Sequence, residues 1–122
     1  MAFESFTNFT QDTTVGNSWT TAGDITATPR EVINVMIGAD NEDASTVTDA
    51  AEVRVLVARD DTPTNYSDEG VFHRNYLPSG VTAEWFGFSL FGYKHYRVQW
   101  QSAGSTDTYT FDGTYRGDGV DA

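Results

Sequence analysis

The chain has 122 residues, which suits one domain with a single hydrophobic core. It has no cysteine, which excludes disulfides and thiolate metal sites. Its 7 Lys and Arg residues against 18 Asp and Glu residues give a formal net charge of -11. This balance argues against nucleic acids and anionic membranes as partners, because both are bound through basic surfaces. No stretch approaches the ~20 apolar residues of a membrane helix.

The acidic residues are mostly Asp, and Lys94 is the only lysine. Such a surface resembles that of proteins from extreme halophiles. In ~0.1 M salt these carboxylates repel over a Debye length of about 10 Å, whereas at ~1 M the length falls to about 3 Å. We therefore expect a halophilic protein; an acidic protein from an ordinary source is the alternative.

Apolar and polar residues alternate with a period of two along most of the chain, which predicts β-strands. Helical periodicity is almost absent. In chain order the strand-like segments are Phe3–Thr10, Val15–Thr21, Glu31–Gly38, Ala51–Arg59, Val71–Leu77, Thr82–Phe91, Tyr93–Gln101 and Thr106–Tyr115.

Turn-forming residues separate these segments, because Gly, Asn, Asp and Pro favour the backbone conformations of turns. The clearest are Gly16-Asn17, Gly23-Asp24, Gly38–Asn41, Pro78–Gly80 and Ala103–Ser105. About eight short strands at this spacing predict an all-β, antiparallel β-sandwich, either jelly-roll-like or Ig-like. We expect one domain over 1–122, with 1–10 as an N-terminal interface arm.

Alternation also predicts which side chains face the core. Val53, Val55 and Val57 share one face of their strand. Trp100 lies on the apolar face of its own strand, while Trp85 lies opposite to Phe86, Phe88 and Leu90. We expect Trp100 in the core.

No set of residues predicts catalysis. His73 and His95 alternate outward from apolar strand faces, and no G-x-S-x-G motif is present. The acidic pairs Asp60-Asp61 and Asp68-Glu69 are typical of solvated turns. The polar segment Asp40–Asp49 lacks the spacing of a calcium-binding EF-hand and is interpreted as an exposed loop. We expect no enzyme activity, no cofactor and no metal.

The aromatic residues allow two interpretations. Trp19, Trp85 and Trp100, together with several tyrosines, could form a stacking platform for sugar rings. Alternatively, they fill the core and cover a subunit interface.

The C-terminal third carries a "YRV…G-TDT-T…YR" pattern over Tyr96–Trp100, Gly104–Thr108, Thr110 and Tyr115-Arg116. It resembles small β-sandwich decoration and auxiliary head proteins of tailed viruses. With the acidic surface, this resemblance implies a virus of halophilic archaea. It implies no cofactor and no catalysis.

The resemblance leads to a functional hypothesis: a virion structural protein, specifically a capsid decoration protein that binds and stabilises the shell. Its partners would be the major capsid protein and copies of itself in a homotrimer, on the capsid surface after assembly in the host cytoplasm. MAFESF at the start has no signal-peptide pattern, which fits assembly inside a cell. A tail or connector component, or a carbohydrate-binding or host-adhesion module, is the alternative. The candidate contact residues are Phe3, Phe6, Phe9, Trp19 and Trp85.

Overall fold

The computed structural model describes residues 6–28, 31–41, 49–58, 71–76 and 83–119. These residues form nine strands: β1 (Thr7–Asn8), β2 (Asp12–Val15), β3 (Thr20–Thr26), β4 (Glu31–Asn41), β5 (Ala51–Ala58), β6 (Val71–Tyr76), β7 (Ala83–Leu90), β8 (His95–Ser102) and β9 (Tyr109–Gly119). Within these ranges no helix is long and apolar enough to cross a membrane.

The strands form two antiparallel sheets. The first has the order β1-β9-β4-β7, and β2 follows β1 along the same edge of β9. The second has the order β3-β8-β5-β6. The predicted antiparallel β-sandwich is confirmed.

The connectivity distinguishes the two predicted topologies. An Ig sandwich pairs several successive strands within a sheet. Here, among the described strands, only β5 and β6 are both successive and paired. When β1 and β2 are taken as one interrupted strand, the order is that of an eight-stranded jelly roll.

Trp100 lies at the centre of the core and is 0% exposed, as its alternation predicts. Its ring stacks on Phe111 with centroids 5.2 Å apart and meets the edge of Phe9 at 6.0 Å. Its indole Nε1 donates a hydrogen bond of 2.6 Å to Oδ2 of Asp12. Trp100 therefore joins β8 of the second sheet to β9 and β2 of the first.

The other predicted core faces are also confirmed. Val53, Val55 and Val57 are buried on β5, and Leu90 is buried on β7. Phe88 is half-buried and packs against the core. The side chain of Phe86 lies outside the described part of the chain.

Two predicted turns are wrong because glycine has another role there. β4 runs through Gly38 to Asn41, and β3 runs through Gly23 with an irregular register. A Cβ on Gly23 would lie 3.0 Å from Cδ1 of Phe9, so glycine makes room for that ring. The predicted strand Val15–Thr21 is also wrong, since β2 ends at Val15 and β3 begins at Thr20.

One end of the sandwich is held by reciprocal hydrogen bonds between two aspartates. The carboxylate of Asp49 accepts from the backbone N–H groups of Thr106 and Asp107 at 2.7 and 2.9 Å. The carboxylate of Asp107 accepts from the N–H of Asp49 at 2.7 Å. Asp107 thus caps the segment before β5, and Asp49 holds the turn before β9.

Candidate functional site

The outer face of the first sheet carries an exposed tryptophan beside a groove. In the strand register, Trp85 of β7 lies opposite Gly38 of β4, and Gly38 lies opposite Asp112 of β9. Two adjoining depressions, of about 420 and 160 Å³, share Trp85, Asp112 and Gln11 in their lining. We call this pair of depressions the Trp85 groove.

The absence of a side chain at Gly38 places the indole of Trp85 against the sheet. A Cβ on Gly38 would lie 2.6 Å from Cε2 and 2.7 Å from Cζ2 of the indole. Oδ1 of Asp112 would lie 2.9 Å from the same point. The indole therefore covers the backbone of β4 next to a carboxylate, and 59% of the Trp85 surface remains exposed.

Polar side chains surround the Trp85 indole. The larger depression is also lined by Asn8 and Thr114, and the smaller one by Asp40 and Thr110. Amide groups donate and accept hydrogen bonds, whereas carboxylates only accept. The groove therefore combines one apolar surface with a polar rim.

Exposed aromatic side chains also occur at one end of the first sheet, where β7 ends at one edge and β1 begins at the other. Phe91, which follows β7, is 65% exposed, and Phe6, which precedes β1, is 53% exposed. Tyr93 is exposed as well. We call this region, defined by Phe6, Phe91 and Tyr93, the aromatic end.

The loop that carries Phe91 has a fixed geometry. Gly92 has a φ of 96°, a conformation that favours glycine. The N–H of Tyr93 donates to the hydroxyl of Tyr96 at 3.1 Å, and the two rings meet edge to face at 6.4 Å. Because Tyr96 is buried, the loop is anchored to the core, and burial raises the pKa of the Tyr96 phenol above 10.0.

A polar network separates the Trp85 groove from the aromatic end. Oγ of Ser89 donates to Oδ1 of Asn34, and Nδ2 of Asn34 donates to Oδ2 of Asp118, both at 2.6 Å. Nε of Arg116 lies 3.1 Å from the same oxygen, and its guanidinium lies 4.5 Å from the ring centre of Phe6. Phe91 lies six positions after Trp85, which is about 20 Å in an extended strand.

The outer face of the second sheet is different, because its polar side chains bind one another. Arg97 makes two hydrogen bonds to the carboxylate of Asp24, at 2.7 and 2.9 Å. Nε of Arg54 donates to Gln99 at 2.8 Å, and its guanidinium lies 4.1 Å above the ring of Trp19. Trp19, a predicted contact residue, is therefore half-buried beneath Arg54.

The structure separates the remaining predicted contact residues. Phe9 is 6% exposed, and its ring lies 5.1 Å from that of Tyr115. Its assignment to an external contact is wrong, since it completes the protein's own core. From Phe6 onward the predicted arm lies along β9, where Thr7 pairs with Tyr115. Phe3 lies outside the described residues.

Residues with catalytic or metal-binding chemistry do not converge in the described ranges. His95 lies on the outer face of β8 with Arg97 and Gln99, as its alternation predicts, although it is buried there, and its Nδ1 lies 3.3 Å from the hydroxyl of Thr26. The side chain of His73 and the pairs Asp60-Asp61 and Asp68-Glu69 lie outside these ranges. Within them, no three His, Asp or Glu side chains are grouped as metal ligands.

Sequence reasoning found Trp85 through its alternation with Leu90 but missed the groove. Gln11, Gly38 and Asp112 come from separate segments, and only the register of the first sheet brings them together. Glycine in a strand pattern can indicate close approach by another group, and this was the available signal at Gly38.

No protein-family model matches this chain, and no curated protein matches its sequence. The fold and the two surfaces define its class: a jelly-roll β-sandwich with an aromatic groove on one sheet and exposed aromatic residues at one end.

Proposed function

We propose that the chain is a virion structural protein, a decoration protein on the capsid surface of a virus of halophilic archaea. It binds the major capsid protein and copies of itself as a homotrimer. The observation that carries this proposal is the aromatic end, where Phe91 and Tyr93 are exposed on an anchored loop and Phe6 is exposed at the opposite edge of the same sheet. The sequence resemblance and the jelly-roll strand order, which also occurs in capsid proteins, support it.

The chemistry of the aromatic end suits a protein partner. Aromatic side chains are enriched among the residues that contribute most to binding at protein interfaces. The hydrogen bond from Tyr93 to Tyr96 holds the loop before binding, which lowers the entropy cost of association. Arg116 against Phe6 adds a cation beside the aromatic surface, and arginine is also enriched at interfaces.

Attachment as an oligomer would strengthen binding to a shell. A specific interface takes about 800 Å² from each partner, which is about 12% of the 6828 Å² of accessible surface on one chain. Three copies that contact one another would gain avidity from simultaneous attachment.

The attachment test uses shells assembled from the major capsid protein without decoration, in ~2 M NaCl. Wild-type protein should co-sediment with the shells, and Phe91→Ala should weaken this binding at least tenfold. Trp85→Ala is the matched control, because it removes an exposed aromatic side chain from the same sheet but outside the aromatic end. Light scattering should give the free protein a mass three times that of one 13.4 kDa chain.

Different outcomes separate the alternatives. Absence of wild-type binding to shells contradicts the decoration role, and binding to isolated tails or connectors selects the tail or connector component. Equal shell binding by Phe91→Ala and wild type places the contact away from the aromatic end. A monomeric mass contradicts the trimer.

A further inference from the structure

We infer that the Trp85 groove binds a neutral sugar, with one pyranose ring stacked on the exposed face of the indole. This site is separate from the aromatic end and does not depend on attachment to a shell.

The shape of the groove suits a flat ligand. Gly38 lets the indole lie against β4, and 59% of the Trp85 surface stays open to solvent. The larger depression, of about 420 Å³, falls within the usual range of small-molecule sites, about 300–1,000 Å³. A pyranose ring has C–H groups on its faces, and these match the negative face of an aromatic ring.

The rim suits the hydroxyl groups at the edge of a sugar. Asp112 is adjacent to the indole, and Gln11 lines both depressions. Carboxylates accept hydrogen bonds from hydroxyl donors, and carboxamides serve both donor and acceptor groups. The Trp85 groove can therefore contact the face of a sugar ring through the indole and its edge through the polar side chains.

The charges select against acidic sugars. Asp40 and Asp112 lie at the groove, and the chain carries a net charge of -11. A uronate or sialate would bring a further negative charge to these carboxylates. Stacking of a neutral ring, by contrast, survives concentrated salt, because salt strengthens apolar contact while it screens charge.

The binding test uses neutral hexasaccharides of glucose, N-acetylglucosamine, mannose and xylose in ~2 M NaCl, with hexagalacturonate as the acidic probe. Isothermal titration calorimetry measures affinity, and the Trp85 indole N–H resonance reports its location. At least one neutral hexasaccharide should bind with a Kd of ~1 mM or lower. Hexagalacturonate should bind more weakly than the best neutral probe, and lowering the NaCl concentration to ~0.5 M should widen this difference, because the groove carboxylates are then screened less.

The variants locate the site. Trp85→Ala should weaken binding at least tenfold, and Trp85→Phe should recover part of this loss because it restores an aromatic face. Gly38→Ala should also weaken binding tenfold, since its Cβ displaces the indole. Phe91→Ala is the matched control and should bind the same sugar within twofold of wild type.

Three results would overturn the inference. The first is that no neutral probe binds at 10 mM. The second is that Trp85→Ala binds sugar with unchanged affinity. The third is that Trp85→Ala forms a smaller oligomer than wild type, which would show that the groove is an interface between copies. Because Phe91→Ala tests shell attachment and Trp85→Ala tests sugar binding, each proposal can fail without the other.

Discussion

Replacement of Trp100 by alanine tests the central packing of the sandwich. The side chain is fully buried, stacks on Phe111 and meets the edge of Phe9. Loss of a buried tryptophan costs about 3–5 kcal/mol, and each aromatic pair contributes roughly 0.5–1.5 kcal/mol beyond its buried area. We therefore expect Trp100→Ala to lower the free energy of unfolding by about 4–5 kcal/mol.

The hydrogen bond from the Trp100 indole to Asp12 adds little to the loss of unfolding free energy. The carboxylate of Asp12 is half-buried, so water can replace the indole N–H when the ring is removed. At about 4 °C for each kcal/mol, the melting temperature should fall by roughly 16–20 °C. A domain is typically stable by only about 5–15 kcal/mol, so the variant should lie close to the limit of folding.

The assay for Trp100→Ala is urea unfolding in ~2 M NaCl, followed by circular dichroism. Urea is uncharged and leaves the ionic strength constant. Trp100→Phe should lose less stability, because it keeps an aromatic ring against Phe111. Trp85→Ala should lose clearly less stability than Trp100→Ala, because Trp85 is 59% exposed. A loss below ~1 kcal/mol in Trp100→Ala would refute the described packing.

Two further predictions concern salt and pH. The melting temperature should be higher in ~2 M than in ~0.1 M NaCl, because salt screens repulsion among the carboxylates; a flat or falling value would contradict halophilic adaptation. Burial raises the pKa of Tyr96 and Tyr109 in the folded state above 10.0. Their contribution to stability is therefore complete below pH 10 and is lost as the pH rises through the raised values. Melting temperatures from pH 8 to 11 should show this fall, with a shallower slope in the Tyr96→Phe/Tyr109→Phe double variant; equal slopes would exclude these phenols as the cause.

Strands with strict alternation could be predicted from the sequence. On β5, Val53, Val55 and Val57 mark one buried face, because successive side chains of a strand point to opposite sides. The same argument placed Trp100 inside and Trp85 outside. These predictions depend only on local periodicity, which the sheets preserve.

Glycine was harder to interpret from sequence. Gly38 and Gly23 were predicted in turns, yet both lie within strands where another ring approaches the backbone. Gly113 shows the same effect on β9, since its Cβ would lie 2.5 Å from the carbonyl oxygen of Met36. Such contacts join residues far apart in the chain, so a local pattern does not reveal them.

The strand order and the groove also depend on distant pairing. β9 pairs with β1, β2 and β4, and turn residues alone do not specify these partners. Gln11 and Asp112 are about a hundred positions apart and line one groove only because β2 and β9 are neighbours.

The interruption between β1 and β2 affects how copies of the protein can associate. Phe9 turns into the core between the two strands. Within β2 the register of pairing with β9 shifts, and Thr14 has a φ of 57°. A long, regular edge strand exposes N–H and C=O groups to which another chain can add a strand. In concentrated salt, repulsion between acidic surfaces is too short-ranged to oppose such pairing. The irregular backbone along this edge therefore limits fibre-like polymerisation through it by geometry, at any ionic strength.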